Sequence, residues 1–152
     1  MPKVLISDKL SPRAVTIFEE NGIEVDFKTG LSPDDLKAII GAYDGLAIRS
    51  ATKVTPEIFE AATNLKVVGR AGIGVDNVNI SAAIKRGVIV MNTPHGNSVT
   101  TAEHAITMIL ALARQIPEAN LSTKAGKWEK SRFMGTEITG KTLGLIGCGN
   151  IG

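Results

Sequence analysis

The sequence predicts an α/β protein in which helices cover both faces of a parallel β-sheet. Through the first 95 residues, short apolar runs rich in Val and Ile alternate with segments of helical periodicity. Strands joined by helices pair in parallel, because tight turns between antiparallel neighbours are not available to them. The composition, with 43% hydrophobic and 21% charged residues, is typical of a globular chain with a substantial core.

Five strands are predicted in this first part of the chain. The runs are rich in Val and Ile, as expected for strands buried on both faces, and the second alternates apolar with polar residues. We expect the strand order 2-1-3-4-5, which makes the arrangement flavodoxin-like. The predicted strands are residues 3–7, 23–29, 45–50, 65–72 and 88–94.

Four helices connect these strands. Each of the first three begins with a Ser or Thr followed by Pro, which combines an N-cap with a residue suited to the first helical turn. The fourth covers residues 79–87 and ends at Gly87, because glycine readily takes the left-handed conformation that closes a helix. The three Pro-containing helix starts are Ser11-Pro12, Ser32-Pro33 and Thr55-Pro56.

The pattern changes after Pro94, and we expect a domain boundary there. Residues 98–116 predict a helix that is apolar around most of its circumference, so it is either buried or part of an interface. A polar stretch over 122–141 follows, and 142–147 predict a sixth strand. The predicted domains are therefore residues 1–95 and residues 96–152, with the second domain incomplete.

The last six residues, GCGNIG, form the pattern G-x-G-x-x-G directly after the predicted sixth strand. In such a loop Gly147 permits the tight turn, Gly149 lets the backbone approach a pyrophosphate, and Gly152 lets the next helix pack closely. The pattern predicts dinucleotide binding, with a glycine-rich strand end as the alternative. The helix and acidic residue that complete such a site are absent, so we expect a chain truncated at this loop that binds dinucleotide poorly alone.

Two arginines lie at the ends of adjacent predicted strands. Arg49 follows the third strand and Arg70 the fourth, at the carboxyl edge where parallel sheets bind ligands. Guanidinium groups present forked donors that suit phosphate or carboxylate, and the backbone at Gly72 and Gly74 is open to a small anion. These residues predict an anion site, with solvated or salt-bridged arginines as the alternative.

Charge, cysteine content and hydropathy exclude several function classes. With 17 Lys and Arg against 15 Asp and Glu, the net charge of +2 gives no reason to expect nucleic acid as a partner. No apolar stretch is long enough to cross a membrane, and the start lacks the layout of a signal peptide. Cys148 is the only cysteine, so the chain has no internal disulfide, which fits a cytoplasmic location. We predict no metal site.

Four stretches of the chain resemble the family of D-isomer-specific 2-hydroxyacid dehydrogenases, and the resemblance runs through nearly all of it. Within them, "GRAGIGVDN" and "FMGTE" point to members that act on a phosphorylated 2-hydroxy acid. The stretches are RSATKVT (49–55), VVGRAGIGVDNV (67–78), GVIVMNTPHGNSVTTAEHAITMILALAR (87–114) and GKWEKSRFMGTEITGKTLGLIGCGNIG (126–152).

The resemblance implies an NAD-dependent oxidoreductase with a split fold. In this family an N-terminal substrate domain precedes an inserted Rossmann-type NAD domain, of which this chain holds the first helix and strand, and the chain then returns. The helix at 98–116 resembles the segment that crosses between the domains and packs in a homodimer or homotetramer. Two alternatives stay open: a related dehydrogenase with another 2-hydroxy acid, and a non-catalytic anion-binding or dimerisation module.

The resemblance also implies roles for individual residues. Lys130 and Arg132 match a basic loop that reaches the substrate phosphate of a neighbouring subunit, although without the family this segment is a solvated loop. Residues matching the substrate site are Arg49, Ser50, Arg70, Gly72, Ile73, Gly74 and Asn97. Residues matching the cofactor site are Gly147, Gly149, Asn150, Ile151 and Gly152, with the backbone of Ile73 near the nicotinamide.

The catalytic residues of the family have no counterpart in this chain. The family uses an arginine, a glutamate and a histidine that all lie further along the sequence. Neither His95 nor His104 matches that histidine, and we expect His104 to be buried on the apolar helix. The 152 residues by themselves are therefore expected to be inactive.

Overall fold

The computed structural model describes all 152 residues and divides the chain into two compact units. The first unit is Met1–Gly96 and the second is Asn97–Gly152. The assignment of these units to a substrate domain and the start of a cofactor domain stays a prediction.

A five-stranded parallel sheet of order β2-β1-β3-β4-β5 forms the centre of the first unit. The α/β fold class and the predicted strand order are thereby confirmed. Each strand has only four paired residues, because the flanking residues leave the hydrogen-bonded ladder and enter loops. The strands are β1 (Lys3–Ile6), β2 (Glu24–Phe27), β3 (Gly45–Ile48), β4 (Val67–Arg70) and β5 (Ile89–Asn92).

Four helices connect the strands, and the first three begin at the predicted Ser-Pro and Thr-Pro pairs, although the Thr55 side chain makes no capping hydrogen bond. Ser32 and Asp35 form a reciprocal capping box, and the Asn79 side chain accepts a hydrogen bond from the N–H of Ala82 at 2.9 Å. Gly87 closes the fourth helix with a φ of 66°. The helices are α1 (Pro12–Glu20), α2 (Pro33–Ile39), α3 (Pro56–Ala61) and α4 (Ile80–Arg86).

The core of the first unit lies on both faces of the sheet. On one face Leu5, Leu46 and Val68 pack in one buried cluster with side chains of α2, α3 and α4, among them Phe59. On the other face a smaller cluster of strand residues packs with side chains that include Val15 and Phe18 of α1: Val4, Ile6 and Ala47. Full burial of a large apolar side chain stabilises the fold by about 1.5–3 kcal/mol, so the central strands are fixed firmly at the middle of the unit.

The second unit contains two helices where the sequence predicted one. The expected helix over 98–116 is shorter: α5 spans Ser98–Ala113, and α6 spans Ile116–Lys124. The break falls at Gln115, whose φ of 52° lies in the left-handed region. Pro117 follows within the first turn of α6, and its missing N–H prevents a continuous helix. A short 3-10 turn spans Lys130–Phe133.

Two expectations for the second unit are wrong. Residues 142–147 do not form a strand, because a strand needs a hydrogen-bonded neighbour and all paired strands lie in the first unit. His104 is exposed, since no residue of α5 is buried within its own unit.

None of the helices in the chain combines the length and apolar character that crossing a membrane requires.

The "FMGTE" stretch contains Gly135, which lies in close contact with the end of α5. The N–H of Thr136 donates a hydrogen bond to the carbonyl of Ala113 at 2.7 Å, which holds the two segments together. A Cβ atom at residue 135 would overlap the Ala113 carbonyl oxygen and lie 2.8 Å from the Cα of Arg114. Only glycine therefore fits this approach without a shift of the backbone.

Candidate anion site at the carboxyl edge of the sheet

The carboxyl ends of four strands bring the candidate residues of the first unit to one edge of the sheet. Arg49 directly follows β3, and Arg70 and Asn92 end β4 and β5. The parallel register pairs Ile48 with Arg70 and Arg70 with Asn92, so these positions are neighbours across the sheet. Asp8 follows β1 at the same edge, which is where open parallel sheets bind ligands.

Arg49 combines an exposed side chain with a firmly held backbone. Its N–H donates to the Asp8 carboxylate at 2.6 Å, and its carbonyl accepts from the Asn77 side-chain amide at 2.7 Å. The Nε of Arg70 also donates to this carbonyl, at 3.3 Å. The guanidinium of Arg49 takes part in none of the ion pairs of the chain. Its charge is therefore available to an anion from solvent.

Asp8 is 6% exposed and binds the segment that follows β3. Besides Arg49, its carboxylate accepts from the N–H of Thr52 at 3.1 and 3.2 Å and from the Thr52 hydroxyl at 2.7 Å. Burial acts to raise the pKa of Asp8, but hydrogen bonds from the Thr52 hydroxyl and the N–H groups of Arg49, Thr52 and Ala51 outweigh it. The net result is a pKa below the ordinary value, so the carboxylate is charged at neutral pH.

Asn77 holds the same segment from the other side. Its amide nitrogen donates to the carbonyl of Arg49 and, at 2.6 Å, to the carbonyl of Thr52. Asp8 and Asn77 thus pair backbone donors and acceptors at both ends of a segment that forms neither helix nor strand.

Arg70 has partners within the protein, in contrast to Arg49. Its side chain is 12% exposed and donates to the carbonyls of Gly74 and Arg49. Asp76, which is 84% exposed, lies 3.6 Å from the same guanidinium. These contacts fit the salt-bridged alternative for this arginine. Direct contact of Arg70 with a ligand stays a prediction.

The turn at Gly72–Gly74 directs its carbonyls into the protein. The carbonyl of Gly72 accepts from the N–H of Thr93 at 3.0 Å, and that of Ile73 accepts from the Asn92 side chain at 2.7 Å. Arg70 binds the third carbonyl, that of Gly74. The N–H groups of Ile73 and Gly74 donate to no acceptor in the chain. Because the Arg70 guanidinium contacts both Gly74 and Arg49, these donors lie close to the Arg49 backbone.

Ser50 lies at the margin of a cleft of about 470 Å³ between two loops of the first unit. Ser50 is exposed, so its hydroxyl is accessible beside the Arg49 backbone. The cleft is lined by Ser50, Lys53, Val54, Thr55, Pro56, Asp76, Asn77, Val78 and Asn79.

Three further predicted site residues lie in the second unit. Asn97 is exposed and precedes α5, and its carbonyl accepts from the N–H and hydroxyl of Thr101 at 2.9 and 2.8 Å. Lys130 is exposed and forms no ion pair, whereas Arg132 binds Glu129 at 2.9 Å. The Ser122 hydroxyl, followed by Arg132, lowers the pKa of Glu129. Contact of these residues with a substrate stays a prediction.

The glycine loop at 147–152 has a backbone that suits the proposed pyrophosphate cradle. Gly147 adopts a φ of 98°, which side-chain-bearing residues rarely reach. A Cβ atom at Gly152 would lie 2.5 Å from the Gly147 carbonyl oxygen, so the loop folds tightly on itself. The space around Gly149 is open, as a close approach by a phosphate requires. The glycines present therefore fit the backbone of such a loop, and contacts by Asn150 and Ile151 with a dinucleotide stay predictions.

Sequence reasoning missed the residues that support Arg49. Asp8 and Asn77 bind the backbone of the segment after β3, and the Thr52 hydroxyl binds the Asp8 carboxylate. Asp8 stands directly after the predicted strand over 3–7, at the same edge as the two arginines. That position was the one signal in the sequence that pointed to it.

A doubly wound sheet with exposed cationic and amide donors at its carboxyl edge defines a protein of the open α/β class. The sequence model of the D-isomer specific 2-hydroxyacid dehydrogenase family, catalytic domain, matches residues 4–147. The chain belongs to this family.

The human relative covers nearly all of this chain, but this chain spans less than a third of that relative's length. Human D-3-phosphoglycerate dehydrogenase is 54% identical over 150 residues, which are 99% of this chain and 28% of the human protein. A crystal structure of a protein from Thermus thermophilus has a TM-score of 0.89 at 31% identity, covering 98% of this chain and 50% of that chain. An NAD-bound 3-phosphoglycerate dehydrogenase from Entamoeba histolytica has a TM-score of 0.65 at 32% identity, with coverage of 74% and 39%.

Proposed function

We propose that this chain supplies the substrate-binding part of an NAD-dependent D-3-phosphoglycerate dehydrogenase. The reaction oxidises the 2-hydroxyl of D-3-phosphoglycerate to the ketone of 3-phosphohydroxypyruvate. One proton leaves the hydroxyl, and a hydride leaves C2 for the cofactor. This activity would place the full-length protein in serine biosynthesis.

The proposal rests on the surroundings of the Arg49 side chain and backbone. Its guanidinium is exposed and outside every ion pair, while its backbone is fixed by Asp8 and Asn77. A cation held in this way at the carboxyl edge of a parallel sheet is suited to a carboxylate or a phosphate. D-3-phosphoglycerate carries both groups, so it is a substrate of the kind that such a cation binds.

The N–H groups of Ile73 and Gly74 supply the neutral donors of the proposed site. Their carbonyls are already bonded within the protein, so ligand binding does not have to break these contacts. Backbone donors that are fixed before the ligand arrives cost little entropy on binding. They support a carboxylate beside the Arg49 guanidinium and so orient the carbon that is oxidised.

NAD, when bound, supplies the hydride acceptor, and the loop at 147–152 would hold its pyrophosphate. The residues of the first unit bind and orient the substrate. Orientation of a reacting carbon towards its acceptor contributes a large share of catalysis in such reactions. Removal of the hydroxyl proton requires a general base, which we place outside the candidate residues of this chain.

We also propose that α5 mediates association between subunits, giving a homodimer or homotetramer. Leu112 and Val99 are 81% and 71% exposed, and neither is covered by its own unit. Large exposed apolar side chains along one helix are typical of an interface. Lys130 of one subunit would then be available to the substrate phosphate of its neighbour.

The proposal is tested with the full-length product of the gene that encodes this chain. NADH formation is followed with D-3-phosphoglycerate and with D-lactate, which lacks the phosphate. We expect kcat/KM to be at least about 100-fold higher for the phosphorylated acid, since D-lactate cannot make the charge-assisted contacts of the phosphate. A preference for D-lactate would instead support a related dehydrogenase, and no NADH with either acid would support a non-catalytic module.

The variant Arg49→Gln tests whether the exposed Arg49 guanidinium binds the substrate. We expect its KM for the phosphorylated acid to rise by about 10-fold or more, because a charged donor to the substrate is lost. Arg86→Gln is the control, since Arg86 is exposed in the last turn of α4, at the opposite edge of the sheet. Equal KM values in the two variants would refute a substrate role for Arg49.

A further inference from the structure

The side chains of Asp8 and Asn77 form a polar clamp around residues 49–52, and the Thr52 hydroxyl of this segment bonds Asp8. We propose that Asp8 is a positioning residue for the substrate site, holding the backbone of this segment so that Arg49 and Ser50 meet the anionic group of the substrate. This inference rests on the proposed dehydrogenase function. It assigns a role to a residue that contacts none of the predicted ligands itself.

The carboxylate of Asp8 accepts backbone hydrogen bonds from the residues that follow the end of the β3 ladder. The last ladder residue of β3 is Ile48, and the segment after it has no regular structure. Unpaired backbone donors away from water are costly, so these N–H groups need another acceptor. Asp8 supplies it, with contacts of 2.6 Å to the N–H of Arg49 and 3.1 Å to that of Thr52.

The clamp closes from two distant parts of the chain. Asp8 lies 41 residues before Arg49, and Asn77 lies 28 residues after it. Asp8 holds the donors of the segment, and Asn77 holds its acceptors, at 2.7 Å to Arg49 and 2.6 Å to Thr52. The Thr52 hydroxyl also bonds Ser7 at 2.9 Å, which ties the segment to the end of β1. The position of the Arg49 Cα is therefore fixed by tertiary contacts.

A fixed backbone matters because the Arg49 side chain is long and exposed. If the backbone at its root also moved, binding an anion would require ordering of both the side chain and the segment. Loss of the clamp should therefore weaken binding of the substrate in its ground state and in its transition state alike. Such uniform losses raise KM and leave kcat largely unchanged.

The test uses Asp8→Asn in the full-length protein, with KM and kcat measured for D-3-phosphoglycerate and for NAD. We expect KM for the hydroxy acid to rise about 10-fold, and KM for NAD and kcat to stay within about 3-fold. Asp44→Asn is the matched control. Its carboxylate also accepts a backbone N–H, that of Lys3 at 2.9 Å, but it precedes β3 at the other edge of the sheet. We expect the control to lower Tm and leave both KM values unchanged.

A double-mutant cycle separates positioning from general destabilisation. If Asp8 acts through Arg49, then Asp8→Asn should raise KM little further in an Arg49→Gln background. A general loss of structure would instead multiply the two effects. Multiplicative KM effects, or an equal rise in KM for both substrates, would overturn the proposal.

A gentler pair of variants serves if Asp8→Asn does not fold. Thr52→Val removes the hydroxyl that lies 2.7 Å from Asp8, and Thr52→Ser keeps it. We expect KM for the hydroxy acid to rise about 3-fold in the valine variant and to return to the wild-type value in the serine variant. Equal values in the two variants would count against the clamp.

The result also distinguishes this inference from the function on which it rests. A wild-type protein that forms no NADH with D-3-phosphoglycerate refutes the proposed function, and the positioning role falls with it. A wild-type protein that is active while Asp8→Asn keeps its KM refutes the positioning role alone.

Discussion

The Arg70 guanidinium donates a hydrogen bond to the carbonyl of Gly74, four residues further along the chain. The same side chain donates to the carbonyl of Arg49, and so joins the turn after β4 to the segment after β3. A cation that sequence reasoning assigned to the substrate thus has a structural task in this chain. Its neighbour Arg49, at the same edge, has its guanidinium outside the ion pairs of the protein.

We predict that Arg70→Lys destabilises the fold by about 2 kcal/mol, because hydrogen bonds from charged groups contribute about 1.5–3 kcal/mol and lysine cannot bridge both carbonyls. The ion pair with the exposed Asp76 should contribute little. Urea unfolding at neutral pH measures the difference, with Arg86→Lys as the control. An unchanged unfolding midpoint for Arg70→Lys would show that the turn holds without its guanidinium.

We predict that Gly135→Ala loosens the contact between residue 135 and the end of α5. The added Cβ has no room beside the Ala113 carbonyl and the Arg114 Cα, so backbone must move at a cost of about 1–3 kcal/mol. Amide exchange at Thr136, whose N–H binds Ala113, should accelerate by at least about 5-fold. Gly144→Ala is the control, since nothing lies within 4 Å of its Cβ position. Similar exchange rates in both variants would argue against a steric role for Gly135.

Local signals in the sequence carried most of the fold of the first unit. The Ser32 cap and the Gly87 helix end act within a few residues, so their patterns predict helix boundaries well. The break at Gln115 had one local signal, Pro117, which the prediction of a single helix over 98–116 did not use, whereas the positive φ of the non-glycine residue Gln115 has no pattern of its own. Residues 142–147 have strand-like sequence, but pairing depends on a neighbour that the pattern cannot supply.

The candidate site was predictable in its position and less so in its parts. The ends of adjacent apolar runs locate Arg49 and Arg70 at one edge, since parallel strands share their direction. Which of the two arginines binds protein groups depends on the reach of each side chain into loops far along the sequence. The same applies to Asp8, whose contact with Arg49 spans 41 positions.

We predict that Asp8 contributes to acid unfolding of the protein. Hydrogen bonds hold its folded pKa below the ordinary value of 3.8, so its stabilising effect is present above that value and is lost as pH falls through the folded pKa. Urea unfolding from pH 6 to pH 3 should show a smaller loss of stability for Asp8→Asn than for the wild type. Parallel pH profiles for the two proteins would mean that the charged Asp8 carboxylate does not stabilise the folded state.

We predict that Leu112→Glu shifts the protein to a smaller assembly. Leu112 is 81% exposed within its own unit, and a charge on an apolar helix face would have to be buried unpaired if that face pairs with a second subunit. Sedimentation equilibrium at micromolar concentration measures the mass, with Ile17→Glu as the control on α1, where the side chain is 48% exposed. The control should keep the wild-type mass. If Leu112→Glu keeps it as well, then α5 is not the surface through which subunits associate.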